Sequence, residues 1–156
     1  MDKTKILFVC MGNICRSPSA EGIMKKIIKV RGLENQFFID SAGILDFHEG
    51  ELPDSRMRAH AARRGYNLDS LSRPVKHSDF YTFDMVIGMD GSNIAYLKNL
   101  APDQEYLKKI HTMTEFCTKF EMSHVPDPYY SGTAGFELVL DILEDACEGL
   151  LLKLIV

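Results

Sequence analysis

The chain has 156 residues, 46% of them hydrophobic and 26% charged, with a formal net charge of −4. That length suffices for one well-buried core but not for two ordinary domains, so residues 1–156 are expected to form a single domain. The acidic balance and the lack of any Lys/Arg block longer than a pair argue against nucleic acid, and neither the N-terminal apolar run nor Gly149–Val156 approaches the roughly 20 residues of a membrane span.

Ile6–Val9 is a continuous apolar run of the kind found in a buried parallel strand, and it leads directly into Cys10-Met-Gly-Asn-Ile-Cys-Arg16. Ser17-Pro18 reads as a helix N-cap followed by Pro at the first helical position. The loop therefore lies at a strand-to-helix turn. There the backbone N–H groups of Met11, Gly12, Asn13, Ile14, Cys15, Arg16 and Ser17 can converge on one point, with the positive end of a helix dipole behind them. A tetrahedral oxyanion such as phosphate fits that arrangement. Arg16 adds a full charge in a planar fork able to hold two equatorial oxygens. Gly12 lets the backbone pass close to the anion, and Asn13 tolerates the left-handed conformation that such a nest requires. The same positive field favours a thiolate at Cys10, which makes it the candidate nucleophile.

Beyond the loop, Ala20, Ile23, Met24, Ile27 and Ile28 form a helical stripe that stops at Gly32. Phe37–Ser41 is a second strand. After an irregular Leu45–Pro53, Asp54 begins a helix running to about Arg64, with Gly65 as its cap. Met85–Met89 is a buried strand ending at Asp90, Ser92 caps a short helix with Ile94 and Leu97 inward, and Tyr106–Ile110 is a fourth strand. Thr133–Leu154 is a long amphipathic helix with the stripe Phe136, Val139, Leu143, Cys147, Leu150 and Leu154. This alternation predicts an α/β fold, a parallel sheet with helices on both faces. Ligands of such folds bind beyond the carboxyl ends of the strands, and Cys10, Ser41 and Asp90 would all lie at that edge.

A nucleophilic Cys10 needs a proton donor for the leaving oxygen. The histidines His48, His60, His77, His111 and His124 carry no distinguishing context. Asp127 is the better candidate, because prolines on both sides in Val125-Pro-Asp-Pro-Tyr-Tyr130 stiffen its loop, and the two tyrosines offer an apolar wall. Cys10, Cys15, Cys117 and Cys147 lack the C-x2-C pairs of a zinc site and read as free thiols of a cytoplasmic protein, with no metal expected.

Taken together, Val9–Pro18, Asp40-Ser-Ala-Gly43 and Asp127-Pro-Tyr-Tyr130 resemble the motifs of the low-molecular-weight protein tyrosine phosphatases, in the same order and over nearly the whole chain. Further similarity lies in Pro53–Arg56, Ser72–Val75 and Phe83–Asp90. The resemblance implies a four-stranded parallel sheet and a hydrolase of phosphotyrosine esters without a cofactor. In it Cys10 is the nucleophile, Arg16 binds the phosphoryl group and Asp127 is the acid, while Asn13, Ser17 and Ser41 hold the loop in shape. Phe47, where members often carry Trp or Tyr, would join Tyr129 and Tyr130 around an aromatic substrate. Ser70 departs from the pattern, since many members have a His there. Ile14 replaces the Thr usual in related phosphoarginine phosphatases and suits an aryl ester better. Cys15 could capture an oxidised Cys10 as a reversible disulfide. The expected partners are phosphotyrosine-containing proteins, and inorganic phosphate or similar oxyanions in the loop. A monomer or weak self-association is expected, with the apolar tail Leu150–Val156 either packed on the sheet or mediating association. Thiol-coupled arsenate reductases resemble the same fold and loop but use further cysteines, and Ser70–Leu100 has none. A non-catalytic phosphate-recognition module would need neither the nucleophile nor the acid.

Overall fold

The computed structural model describes residues 2–155; Met1 and Val156, the ends of the expected domain and of its apolar tail, lie outside the described residues. Strand β1 spans Thr4–Cys10, and Ile6, Leu7, Phe8 and Val9 are wholly buried. A strand whose successive apolar side chains from Ile6 to Val9 are all buried has to be covered on both faces. Alternation sends Ile6, Phe8 and Cys10 into one core and Leu7 and Val9 into the other. The larger core is closed by helices α1 (Arg16–Val30), α2 (Ser55–Arg63) and α5 (Thr133–Ile155). Helices α3 (Asp79–Thr82) and α4 (Gly91–Leu100) close the smaller one through Phe80 and Leu97. With β2 (Phe37–Gly43), β3 (Met85–Gly88) and β4 (Ile110–Thr112), the sheet is four-stranded and parallel, in the order β2-β1-β3-β4. Register sets Cys10 opposite Gly43 and Val9 opposite Gly88, so three strands end together at one edge.

Three local expectations need correction. Ser17 lies inside α1 rather than at its cap; Cys15 occupies the N-cap position and no side chain caps the helix. The Ser17 hydroxyl is instead turned towards Cys10 and Asn13. At α4 the cap is Asp90, whose carboxylate accepts from the Asn93 N–H at 2.9 Å, while Ser92 donates its hydroxyl to the same carboxylate. Asp is as good a cap as Ser, and its position two residues nearer the strand decides between them. Residues 104–109 form a 3-10 turn, begun by the Asp103 side chain accepting from Glu105 N–H, and the strand starts only at Ile110. By contrast Asp54 caps α2 as expected, and Gly65 follows that helix with φ +86°. The tail divides: Leu150 and Leu151 are fully buried in the larger core, while Leu152 and Ile155 are exposed.

Candidate active site

Between β1 and α1 the chain wraps through Met11–Cys15 with one backbone feature that fixes its shape. Asn13 has φ 57°, the only positive φ outside glycine among the described residues. Its side chain is satisfied on both ends: Nδ2 donates to Ser17 Oγ at 2.8 Å and Ser41 Oγ at 3.0 Å, and Oδ1 accepts from Arg73 N–H at 3.1 Å. Ser41 donates a hydroxyl hydrogen bond to the buried Glu21 carboxylate at 2.6 Å. Ser72 donates to the Gly12 carbonyl at 3.1 Å, holding that oxygen turned away from the loop interior. Cys10 Sγ lies 3.0 Å from Ser17 Oγ; Ser17 accepts from Asn13, and its own hydrogen is shared between the sulfur and the Ala42 carbonyl, which lies farther off at 3.4 Å. The expected supports Asn13, Ser17 and Ser41 thus form one connected network; Glu21, which did not stand out in the sequence, and Ser72 and Arg73, noted there only as part of the family resemblance, complete it. Ser70 takes no part among these bonds.

Arg16 is buried, and its guanidinium is gripped from behind. Nη1 donates to Asp90 Oδ2 at 2.7 Å and to the Val125 carbonyl at 2.9 Å, leaving Nη2 facing the cleft 3.7 Å from Asp127 Oδ2. Burial would raise the Asp90 carboxyl, but donors from Arg16, Asn93 N–H and Ser92 outweigh it and hold it below its usual range. Asp90 therefore remains a carboxylate under Arg16. Its signal in the sequence was its place at the end of β3; the pairing itself joins residues 74 apart and had none.

The cleft, about 310 Å³, is lined by Cys10, Met11, Gly12, Ile14, Cys15 and Arg16 at its base. Leu45, Phe47, His48, Asp127, Tyr129 and Tyr130 form its walls. Phe47 and Tyr130 are 78% and 99% exposed, so they belong to the cleft mouth and not to a core. The Tyr129 and Tyr130 rings lie 5.0 Å apart. Cys15 is buried in the loop, and burial, followed by Asp54 and Cys10, pushes its thiol well above the usual range. His48 is the residue that sequence reasoning missed here: it packs so close to Gly12 that a Cβ at Gly12 would stand 3.3 Å from His48 Cδ2. His60, by contrast, is buried against Phe136 and bonded to Glu137, away from the cleft lining. The arrangement joins a cysteine sulfur, a strand-to-helix loop with a buried arginine, and a carboxyl beneath an aromatic mouth.

Residues 5–155 match the family model for low molecular weight phosphotyrosine protein phosphatase. The chain belongs to that family. A protein tyrosine phosphatase from Entamoeba histolytica, solved with Hepes in its active site, is 51% identical, with 97% of each chain covered and a TM-score of 0.95. A Synechocystis relative named for the same family is 45% identical over 150 residues, covering 96% of both chains. A Drosophila arginine phosphatase structure is 32% identical, covers 96% of this chain and 97% of its own, and gives a TM-score of 0.88. As a low molecular weight phosphatase the protein is a hydrolase acting on phosphotyrosine. Among its described residues no helix is long and apolar enough to cross a membrane.

Proposed function

We propose that the protein hydrolyses phosphotyrosine in proteins, and small aryl phosphates, through a cysteinyl-phosphate intermediate on Cys10. The Cys10 thiolate attacks phosphorus in line; the S–P bond forms as the P–O bond to the phenol breaks, and Asp127 gives its proton to the departing oxygen. Arg16 Nη2 and the N–H groups of Met11–Ser17 take up charge on the equatorial oxygens. Water then attacks phosphorus, Asp127 recovers a proton from it, the S–P bond breaks, and inorganic phosphate leaves with the thiolate restored. The observation that carries this reading is the convergence of Cys10, Arg16 and Asp127 on one cleft, with Arg16 Nη2 3.7 Å from Asp127 Oδ2. Hepes bears a sulfonate, and its presence in the active site of the Entamoeba protein supports an oxyanion as the loop's ligand here. Free Cys10, Cys15, Cys117 and Cys147 support a cytoplasmic setting, where thiols stay reduced. The reading includes residues 1–156 working as one domain, as a monomer or weak self-associate.

Ile14, Phe47, Tyr129 and Tyr130 on the cleft surface favour an aryl ester over phosphoarginine. The test is hydrolysis of 4-nitrophenyl phosphate across pH 4 to 8, with a phosphotyrosine and a phosphoarginine peptide compared side by side. Since turnover needs Cys10 ionised and Asp127 protonated, activity is expected to peak on the acid side of neutral. Cys10→Ser abolishes it, and Asp127→Ala lowers it by roughly 10²- to 10⁴-fold while phosphate still binds. Undiminished turnover in Asp127→Ala removes the acid assignment, and faster release of phosphate from phosphoarginine than from phosphotyrosine removes the substrate assignment.

A further inference from the structure

Residues 126–131 carry Asp127 and both tyrosines across the cleft with few attachments. Their internal bonds run from Tyr129 N–H to Asp127 Oδ1 at 3.1 Å and from Ser131 N–H to the Pro128 carbonyl at 2.9 Å. Among the described residues, a single hydrogen bond ties the segment to another element: Arg56 Nη2, in the first turn of α2, donates to the Tyr129 carbonyl at 3.1 Å. That guanidinium is itself fixed. Its Nε and Nη2 fork onto the two oxygens of Asp54 at 3.1 and 2.9 Å, and its carbon lies 5.4 Å from the Tyr129 ring centroid and 4.9 Å from that of Phe136. Asp54 in turn caps α2 and donates its own N–H to the Ile14 carbonyl at 2.8 Å. A continuous path therefore leads from the anion loop at Ile14, through Asp54 and Arg56, to Tyr129.

We propose that Arg56 is a positioning residue for the general acid, clamping Tyr129 to Asp54 so that the Asp127 carboxyl stands above the anion loop where the leaving oxygen will be. The inference rests on Asp127 being that acid. Tyr129 N–H bonds the Asp127 carboxylate directly, so a displacement of Tyr129 reaches the carboxyl through one contact. A planar fork is needed, because one group must serve two carboxylate oxygens and a carbonyl while lying against two rings; a single ammonium does not. Half-exposed ion pairs such as Arg56–Asp54 add little to folding stability, so a rate effect that exceeds the stability effect marks positioning.

The test compares the parent with Arg56→Met, Arg56→Lys, Asp127→Ala and the double variant Arg56→Met/Asp127→Ala. It reads kcat/KM on phenyl phosphate, whose poor leaving group depends on the acid, and on 4-nitrophenyl phosphate, whose good one depends on it less. Arg56→Met is expected to lower kcat/KM for phenyl phosphate by about tenfold or more, as a carboxyl displaced by part of an ångström would. The fall for 4-nitrophenyl phosphate is much smaller, and inhibition by inorganic phosphate is unchanged. Arg56→Lys recovers little, and in the Asp127→Ala background the Arg56→Met loss disappears, because the two residues act as a unit. Thermal melting checks that each variant is folded, with Arg56→Gln as the substitute if Arg56→Met is not. An unchanged substrate ratio in Arg56→Met where Asp127→Ala raises it, or a full additional loss in the double variant, overturns the proposal and leaves Asp127 as the acid. Parental activity of Asp127→Ala on phenyl phosphate would overturn both.

Discussion

Gly43 closes β2 directly opposite Cys10, and its α-carbon rests against the back of the Met11–Cys15 loop. A Cβ there would stand 3.0 Å from Asn13 N, Asn13 Cβ and the Gly12 carbonyl carbon, of which two are backbone atoms. The strand has no room to retreat, since Gly43 N–H is bonded to the Arg73 carbonyl and its own carbonyl to Val75 N–H, each at 2.8 Å. The loop has to give instead. Gly43→Ala is therefore expected to keep the fold, lower kcat/KM on aryl phosphate by about 10- to 100-fold through a displaced anion nest, and weaken inhibition by phosphate. Turnover within a factor of about two of the parent would show that the loop absorbs the methyl group. At this scale the sequence was informative where chemistry is local. The placement of Cys10 and Arg16 at one cleft and the left-handed Asn13 were legible from one loop, because strand, turn and helix start are adjacent in the chain. Asp90, Glu21 and Ser72 were not assigned to the site, since an Asp, a Glu or a Ser on its own gives no sign of the group it will meet across the fold. His48 looked like any surface histidine until its ring was found against Gly12.

Among the elements, α5 shows what periodicity carries and what it omits. Its apolar spacing correctly placed a long helix, and Phe136, Val139, Leu143, Cys147 and Leu150 are all buried. The same spacing is silent about Gly149, which sits where the helix meets the 3-10 turn Met113–Phe116 so closely that a Cβ would come within 1.9 Å of the Phe116 carbonyl oxygen. Alanine is a better helix former than glycine by about 1 kcal/mol, so propensity alone predicts that Gly149→Ala stabilises. Contact with a backbone oxygen reverses the sign. Overpacking of this kind costs about 1–3 kcal/mol or more, and no flexible side chain is available to move aside. Urea unfolding of Gly149→Ala should show a net loss of roughly 1–2 kcal/mol, while the folded fraction turns over normally. A variant as stable as the parent would mean that the turn shifts freely. Two of the errors in the other elements trace to an aspartate cap. Asp90 displaced Ser92, and Asp103 began a turn in what read as a strand.

For the whole molecule, the alternation of strand and helix was enough to give a parallel sheet covered on both faces, and with it the edge where the site lies, because connection rules leave few other arrangements. Long-range polar ties were invisible, and one of them governs stability in acid. Asp145, in the middle of α5 and 8% exposed, accepts from three successive backbone N–H groups, those of Thr118, Lys119 and Phe120, and from the Thr118 hydroxyl, at 2.9 to 3.1 Å. These bonds fasten the start of the connection between β4 and the Asp127 loop onto the helix. Burial alone would raise the Asp145 carboxyl, but the donors from Phe120, Lys119 and Thr118 prevail and bring it from 3.8 to about 2. A carboxyl held lower in the folded than in the unfolded chain stabilises fully above the unfolded value, and the contribution is lost as pH falls from about 4 to about 2. After allowance for solvent screening it amounts to on the order of 1–2 kcal/mol. Asp54, Asp90 and Glu137 are held low as well, so their contributions fade in the same direction. On the proposed mechanism the enzyme meets two opposed demands on the acid side, a protonated Asp127 for turnover and ionised carboxylates for the scaffold. Asp145→Asn separates them. It places an amide N–H₂ among N–H donors, and is expected to lower stability near pH 6 while flattening the decline between pH 4 and pH 2, with the pH dependence of turnover unchanged. Urea denaturation at a series of pH values measures this directly, and a variant that declines in acid as steeply as the parent would assign the acid sensitivity to other carboxylates.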